Sequence, residues 1–185
     1  MQELWVIRLE WDEDLPHELT CRWRSYLQGL TFVSAITIPR WLGYSDSVLD
    51  VEIHGFADAS QLAMATVVYL RVLRDLDDIH VRLVCSKTRV APPKHVTIPR
   101  LELCAAVLLV RLVTQVRKTL RFEEASTHLW TDSTVALLWI RSHPSRWKNY
   151  VRNRVSKIQE LSNSRWHHVP GDQNPADIVS RGTTP

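Results

Sequence analysis

The stretch Val51 to Ser60, VEIHGFADAS, alternates Val51, Ile53, Gly55 and Ala57 with Glu52, His54, Phe56 and Asp58. That period of two is the signature of a half-buried strand. The strand delivers Asp58 among the small residues Ala57, Ala59 and Ser60. A carboxylate in such surroundings is costly unless it is hydrogen-bonded, paired or holding a metal.

Leu62 to Leu70 and Val81 to Ser86 read as two further strands, separated by the acidic turn Asp75, Asp77, Asp78. Short links between successive strands predict an antiparallel meander, closed by the loop Arg89 to Ile98 with its Pro92-Pro93. Next comes the longest helix, Pro99 to Leu120, with Thr97 and Pro99 where a cap and an early-turn proline belong. A strand from Thr127 to Thr131 follows, then a helix from Ser133 to Ile140 whose inner stripe is read as Val135, Leu138 and Trp139. His143-Pro144 breaks it, and Trp147 to Leu161 forms another helix. A fifth strand, Arg165 to Val169, a Pro170-Gly171-Asp172 turn and a short helix from about Asn174-Pro175 complete the chain. The order βββαβααβα predicts an α/β layout, a five-stranded mixed sheet of three antiparallel strands and two more, flanked by helices.

Residues 1–50 read differently. Beyond Asp12, Glu13, Asp14 and Pro16, the residues Leu19, Trp23, Tyr26, Leu27 and Leu30 recur at helical spacing, and Pro39 keeps Ile36 to Trp41 extended. These residues are expected to form an appendage, a helix docked on a neighbouring domain, with the main domain spanning 51–185.

Composition narrows the class. With 45% hydrophobic and 23% charged residues over 185 positions the chain has enough apolar material for one sizeable core. The longest apolar run, Leu103 to Val110, falls far short of the roughly 20 residues that span a bilayer, and the first ten residues, with Glu3, Arg8 and Glu10, are not expected to act as a secretory signal. Three cysteines without a CxxC pair, Cys21, Cys85 and Cys104, point to free buried thiols in a reducing compartment. Residues 1–50 hold four basic and eight acidic side chains, and the remainder 19 basic and 12 acidic, so the second part is the candidate for meeting a polyanion.

Three more carboxylates deserve the attention given to Asp58. Glu102 falls on the apolar stripe Ala105, Ala106, Leu109, Val113, Val116 of the long helix; a salt bridge to Arg100 or another base would account for it equally. Asp132 ends the fourth strand, where ligand sites of α/β sheets gather; capping the next helix is the alternative, although Ser133 can serve as that cap. Asp177 lies in the first turn of the last helix, a common place for a dipole partner. Four acids brought together repel one another unless divalent cations neutralise them, and carboxylate oxygens are the ligands Mg²⁺ prefers. Between Ser133 and Gln159 there is no acid, but Arg141, Arg146, Lys148, Arg152, Arg154 and Lys157 interleave with Trp139, Trp147 and Tyr150. That stretch suits a phosphate backbone and stacked bases, or a solvated helix face over core aromatics.

HGFADAS, IPRLELCAA, LWTDSTVALLWI and HVPGDQNPADIVSRG, in this order, resemble the ribonuclease H domain of retroelement reverse transcriptases, most closely the BEL/Pao class of LTR retrotransposons. SRWKNYVRNRVSKIQEL and the leading WDEDLPHEL…IPRW fit the same polyprotein. The resemblance implies a ribonuclease H-like fold and cleavage of the RNA strand of RNA–DNA hybrids with two Mg²⁺ or Mn²⁺ ions. It implies Asp58, Glu102, Asp132 and Asp177 as catalytic metal ligands, with Asp58 bridging the ions. A reverse transcriptase domain of the same polyprotein is the implied partner and an intracellular, cytoplasmic setting in retrotransposon particles the implied location. The polyprotein would continue upstream into a polymerase and downstream toward an integrase, making these residues a piece of it. Two departures stand out. Ala65-Thr66 replaces a glycine the family often has, which is expected to perturb the second strand slightly. The loop Gly171-Asp172-Gln173 lacks the histidine of many ribonucleases H, and His167 and His168 are expected in the fifth strand without a catalytic role. A binding-only or tether module is the alternative function. An aspartic peptidase is disfavoured, because Asp132-Ser133-Thr134 and Asp58-Ala59-Ser60 both lack the glycine that chemistry needs, and a transposase core would carry a different acid spacing.

Overall fold

The computed structural model describes residues 2–45, 48–75 and 77–182. They divide into two compact units, the first ending at Ile38 and the second running Pro39–Gly182. The first unit contains helices α1 (Gln2–Ile7) and α2 (His17–Val33). The helical spacing read from Leu19 to Leu30 is realised in α2, which buries no residue; Trp23, Tyr26 and Leu27 are exposed.

In the second unit the elements follow the expected order. Strands β1 (Asp50–Ala59), β2 (Ala63–Asp75) and β3 (Asp78–Val90) precede helix α3 (Ile98–Leu120) and strand β4 (Ser126–Thr131). Helices α4 (Thr134–Arg141) and α5 (Asn149–Leu161), strand β5 (Arg165–His168) and helix α6 (Pro175–Arg181) complete it. The sheet order is β3-β2-β1-β4-β5; β1–β2 and β2–β3 are antiparallel, β1–β4 and β4–β5 parallel. The predicted five-stranded mixed sheet is therefore present, with β1 at its centre.

β2 and β3 are longer than the hydrophobic runs that marked them: β2 continues through the half-buried Arg71 and Arg74, and β3, an edge strand, continues through Lys87 and Arg89, exposed charges that such an edge tolerates. Ala65 and Thr66 are fully buried in β2, and the Thr66 hydroxyl donates to the Lys87 carbonyl at 3.2 Å; the register with β3 shifts between Val68 and Tyr69.

Ile53, Gly55 and Ala57 face α3. Gly55 allows a close approach there, since a Cβ would stand 2.8 Å from Leu109 Cδ1 and 3.1 Å from Leu129 Cδ2 and push those side chains aside. α3 buries Leu101, Ala105, Ala106, Leu109, Val113 and Val116, and α5 packs Val151, Val155 and Ile158 into the same core. The inner face of α4 is Ala136, Leu137 and Ile140, not the predicted Val135, Leu138, Trp139 stripe; Val135 and Leu138 are exposed, and Trp139 is partly buried against Trp147. An eight-residue helix that is apolar on two faces gives periodicity little to choose between. The cysteines are free, but Cys21 is exposed and Cys85 and Cys104 are half-buried, so the expectation of buried thiols is corrected.

Residues 39–45 and 48–49, grouped with the appendage by sequence, are tied to β2. Gly43, at φ 87°, turns its carbonyl to accept from Arg74 Nε at 3.0 Å and Nη2 at 2.9 Å, and the Leu49 amide donates to the Leu73 carbonyl. Leu42 and Val48 pack against the core. On the sheet face opposite α3, half-buried rings lie side by side: Phe56 on Trp130, Trp130 on His167, and His54 on His128.

Candidate metal centre and nucleic-acid interface

The register pairs Ala57 with Thr131, so Asp58 and Asp132 are the next residues at the carboxyl ends of two adjacent parallel strands. Both belong to the ring-bearing face, and α6 crosses the same end carrying Asp177. Carboxylate oxygens of Asp58, Asp132 and Asp177 lie within 4.8 Å of one another. Asp58 is buried and the other two half-buried.

Short polar side chains hold the cluster. The Ser180 hydroxyl donates to Asp58 Oδ2, and the Ser180 carbonyl accepts from Ser60 Oγ at 2.7 Å. Asn174 caps α6, accepting from the Ala176 amide at 3.1 Å while donating to the Ala57 carbonyl at 3.1 Å. One buried amide thereby ties the start of α6 to the residue before Asp58. Ser133 caps α4 by accepting from the Ala136 amide, which releases Asp132 from capping. Thr97 occupies the N-cap position of α3 without a side-chain cap bond.

Glu102 is not among the three acids that meet. It is half-buried in the first turns of α3, where the Ser133 hydroxyl donates to its Oε2, and no salt bridge to Arg100 forms. Burial pushes its carboxyl above the usual range, and the charges of Asp132 and Asp58 push further, so it borders the cluster electrostatically. Asp132 is raised by burial and then by the charge of Asp58. Its Oδ1 is buried without a hydrogen-bond partner, and a Cβ on Gly171 would stand 3.3 Å from its Oδ2. Asp177 accepts from Arg181 Nε at 2.7 Å, an exposed i, i+4 pair.

These features fit a hard divalent cation. Three carboxylates converge, the central oxygen lacks a donor, and no basic side chain among the described residues bridges Asp58 to Asp132. An orphaned buried acceptor costs free energy that an ion would recover. Asp58, Asp132 and Asp177 could hold one, with Glu102 at its border.

The six predicted cations separate. Arg141 donates to the Trp166 carbonyl at 2.7 Å, and Lys157 pairs with Glu160 at 3.1 Å. Arg154 donates to Cys104 Sγ and to the Tyr150 carbonyl and lies 3.5 Å over the Tyr150 ring. Arg146, Lys148 and Arg152 line an open groove of about 540 Å³ with Trp147, Asn149 and Tyr150. His167 and His168 lie in β5, as expected; His168 Nε2 is 3.2 Å from the Asp132 carbonyl.

Sequence reasoning missed Ser180, Asn174 and Arg181. Ser180 was findable: it stands three residues after Asp177, on the same helical face.

Solved structures with similar folds include the N-terminal RNase H domain of rv2228c from Mycobacterium tuberculosis, solved as a fusion with maltose binding protein, at 14% identity over 71% of this chain and 92% of that one, TM-score 0.47. LC11-RNase H1 in complex with an RNA/DNA hybrid matches at 13% identity over 70% and 93%, TM-score 0.45. The foamy viral protease-reverse transcriptase in complex with an RNA/DNA hybrid matches at 11% identity over 73% of this chain and 19% of that one, TM-score 0.42. No curated protein matches the sequence. The model of the Pao retrotransposon-like RNaseH-like domain matches residues 1–133, a span that includes Asp58, Glu102 and Asp132 and ends within the second unit, before α4 and Asp177. The chain belongs to the family of Pao retrotransposon-like RNaseH-like domains.

Proposed function

We propose that this chain is a metal-dependent endonuclease that hydrolyses the RNA strand of RNA–DNA hybrids during retrotransposon reverse transcription. The observation that carries the reading is the convergence of Asp58, Asp132 and Asp177 around an Asp132 oxygen without a donor. Divalent ions bound there would supply an activated water and charge stabilisation at the leaving oxygen. Asp58 and Asp132 would hold the cations from adjacent strand ends, Asp177 would add a ligand from α6, and Glu102 would contribute from α3. Ser180 and Ser133 keep Asp58 and Glu102 in fixed rotamers. The groove of Arg146, Lys148 and Arg152 receives the phosphate backbone, with Trp147 and Tyr150 as its apolar walls; Arg141, Arg154 and Lys157 contribute charge from their paired positions.

In this reading the unit Pro39–Gly182 is the nuclease domain and the residues before it a connection to a reverse transcriptase of the same polyprotein, working in the cytoplasm within retrotransposon particles. No helix among the described residues is long and apolar enough to cross a membrane. The test is cleavage of a labelled hybrid with Mg²⁺ or Mn²⁺, which should cut the RNA strand, spare the DNA strand and disappear in Asp58→Asn.

The pair between Arg181 and Asp177 favours a second reading, a module that binds hybrids without cutting them, because the guanidinium occupies a carboxylate the ions need. Hybrid binding without cleavage under either metal would select it.

A further inference from the structure

At the opposite end of β4 from Asp132 lies a cavity of about 280 Å³. Its walls come from three elements that end or begin together: Arg117 in the last turns of α3, Ser126 and His128 at the start of β4, and Ser164 and Arg165 at the start of β5, with Asn163 at the mouth. No Asp or Glu lines it. Ser126 precedes Asp132 by six positions, so at about 3.3 Å per residue that wall of the cavity is roughly 20 Å from Asp132.

Two arginines face this space without a carboxylate partner. Arg117 donates Nη2 to the Glu123 carbonyl, which fixes its guanidinium in the wall, while its Nε is buried with no acceptor. Arg165 forms no ion pair and no side-chain hydrogen bond among the described residues. Hydroxyls of Ser126 and Ser164 and the amide of Asn163 add neutral donors. Planar guanidinium forks with hydroxyl donors match the tetrahedral oxygens of phosphate.

We propose that this cavity is a phosphate-binding site, separate from the carboxylate centre, that takes a phosphoryl group between Arg117 and Arg165. The ligand is a free phosphate ion or the terminal phosphate of a nucleic-acid strand; both present the same chemistry. The proposal does not depend on nuclease activity, because the cavity shares no residue with the carboxylates.

The experiment is calorimetric titration of the full chain with inorganic phosphate in metal-free buffer, ionic strength held constant and chloride as the control anion. The parent chain and Asp132→Asn should bind phosphate saturably and equally. Arg165→Gln, at an exposed position that folding does not need, should raise the Kd at least about tenfold, the loss expected for one charge-assisted contact. Arg117→Gln should do the same. Competition by a 5′-phosphorylated oligonucleotide, and not by its 5′-hydroxyl counterpart, would assign the site to a strand end; phosphate binding without such competition would assign it to the free ion. Heat that follows ionic strength and not phosphate, or a Kd unchanged in folded Arg165→Gln, would overturn the proposal.

Discussion

Ser180 of α6 donates its hydroxyl to Asp58 of β1, joining two residues 122 positions apart in the chain. The bond fixes one oxygen of the carboxylate that meets Asp132 and Asp177. Removing it in Ser180→Ala should weaken Mg²⁺ binding about 10-fold or more, the usual cost of losing a group that orients a metal ligand. Calorimetric titration of Mg²⁺ checks this, and circular dichroism should show an unchanged fold.

Metal should also register in stability. In the metal-free chain Asp58, Asp132 and Glu102 repel one another, so Asp58→Asn should leave stability equal or raised. Mg²⁺ at about 100 times its Kd should add about 2.7 kcal/mol to the parent chain and little to Asp58→Asn. Urea denaturation with and without the ion separates the two effects.

Asn174 holds α6 to the sheet with two bonds of one buried amide. Asn174→Ala loses both, and should cost about 1–3 kcal/mol while displacing Asp177. The expected result is a lower urea midpoint together with weaker Mg²⁺ binding.

A Cβ at Gly55 would crowd the side chains beneath α3. Gly55→Ala should destabilise by about 1–3 kcal/mol through overpacking against Leu109, Leu129 and Val113, measured as a shift in the urea midpoint.

His167 gives a pH dependence. Burial, then the charges of His128, Arg141 and Arg165, holds its imidazole below the ordinary histidine range. The folded chain therefore binds this proton less readily than the unfolded chain. The stability His167 contributes is complete above its unfolded value and is lost as pH falls through the depressed folded value. Denaturation midpoints should drop from pH 7.5 to pH 5, and should drop less in His167→Gln.

The fold was legible where patterns were long. The alternation of β1, the apolar stripe of α3 and the inner face of α5 each repeat often enough for the period to be unambiguous. α4 was misphased because eight residues with apolar side chains on both faces do not select one, and the lengths of β2 and β3 were underestimated because their outer halves are charged. Three of the four acids meet, as their positions at strand and helix ends suggested; Glu102 stops at their border because Ser133 holds it. The rings of Phe56, Trp130 and His167 were invisible, since their adjacency follows from the parallel register of three strands that no local pattern reveals.

The most direct measurement of the central claim is the rate of RNA-strand cleavage in a defined RNA–DNA hybrid with Mg²⁺, comparing the parent chain with Asp132→Asn. This change keeps the shape of the side chain whose oxygen lacks a donor. The account predicts cleavage by the parent chain and a fall of at least about a hundredfold in the variant, equivalent to about 2.7 kcal/mol of lost transition-state stabilisation. Equal rates in the two proteins, or no cleavage by a parent chain that binds both hybrid and Mg²⁺, would contradict it.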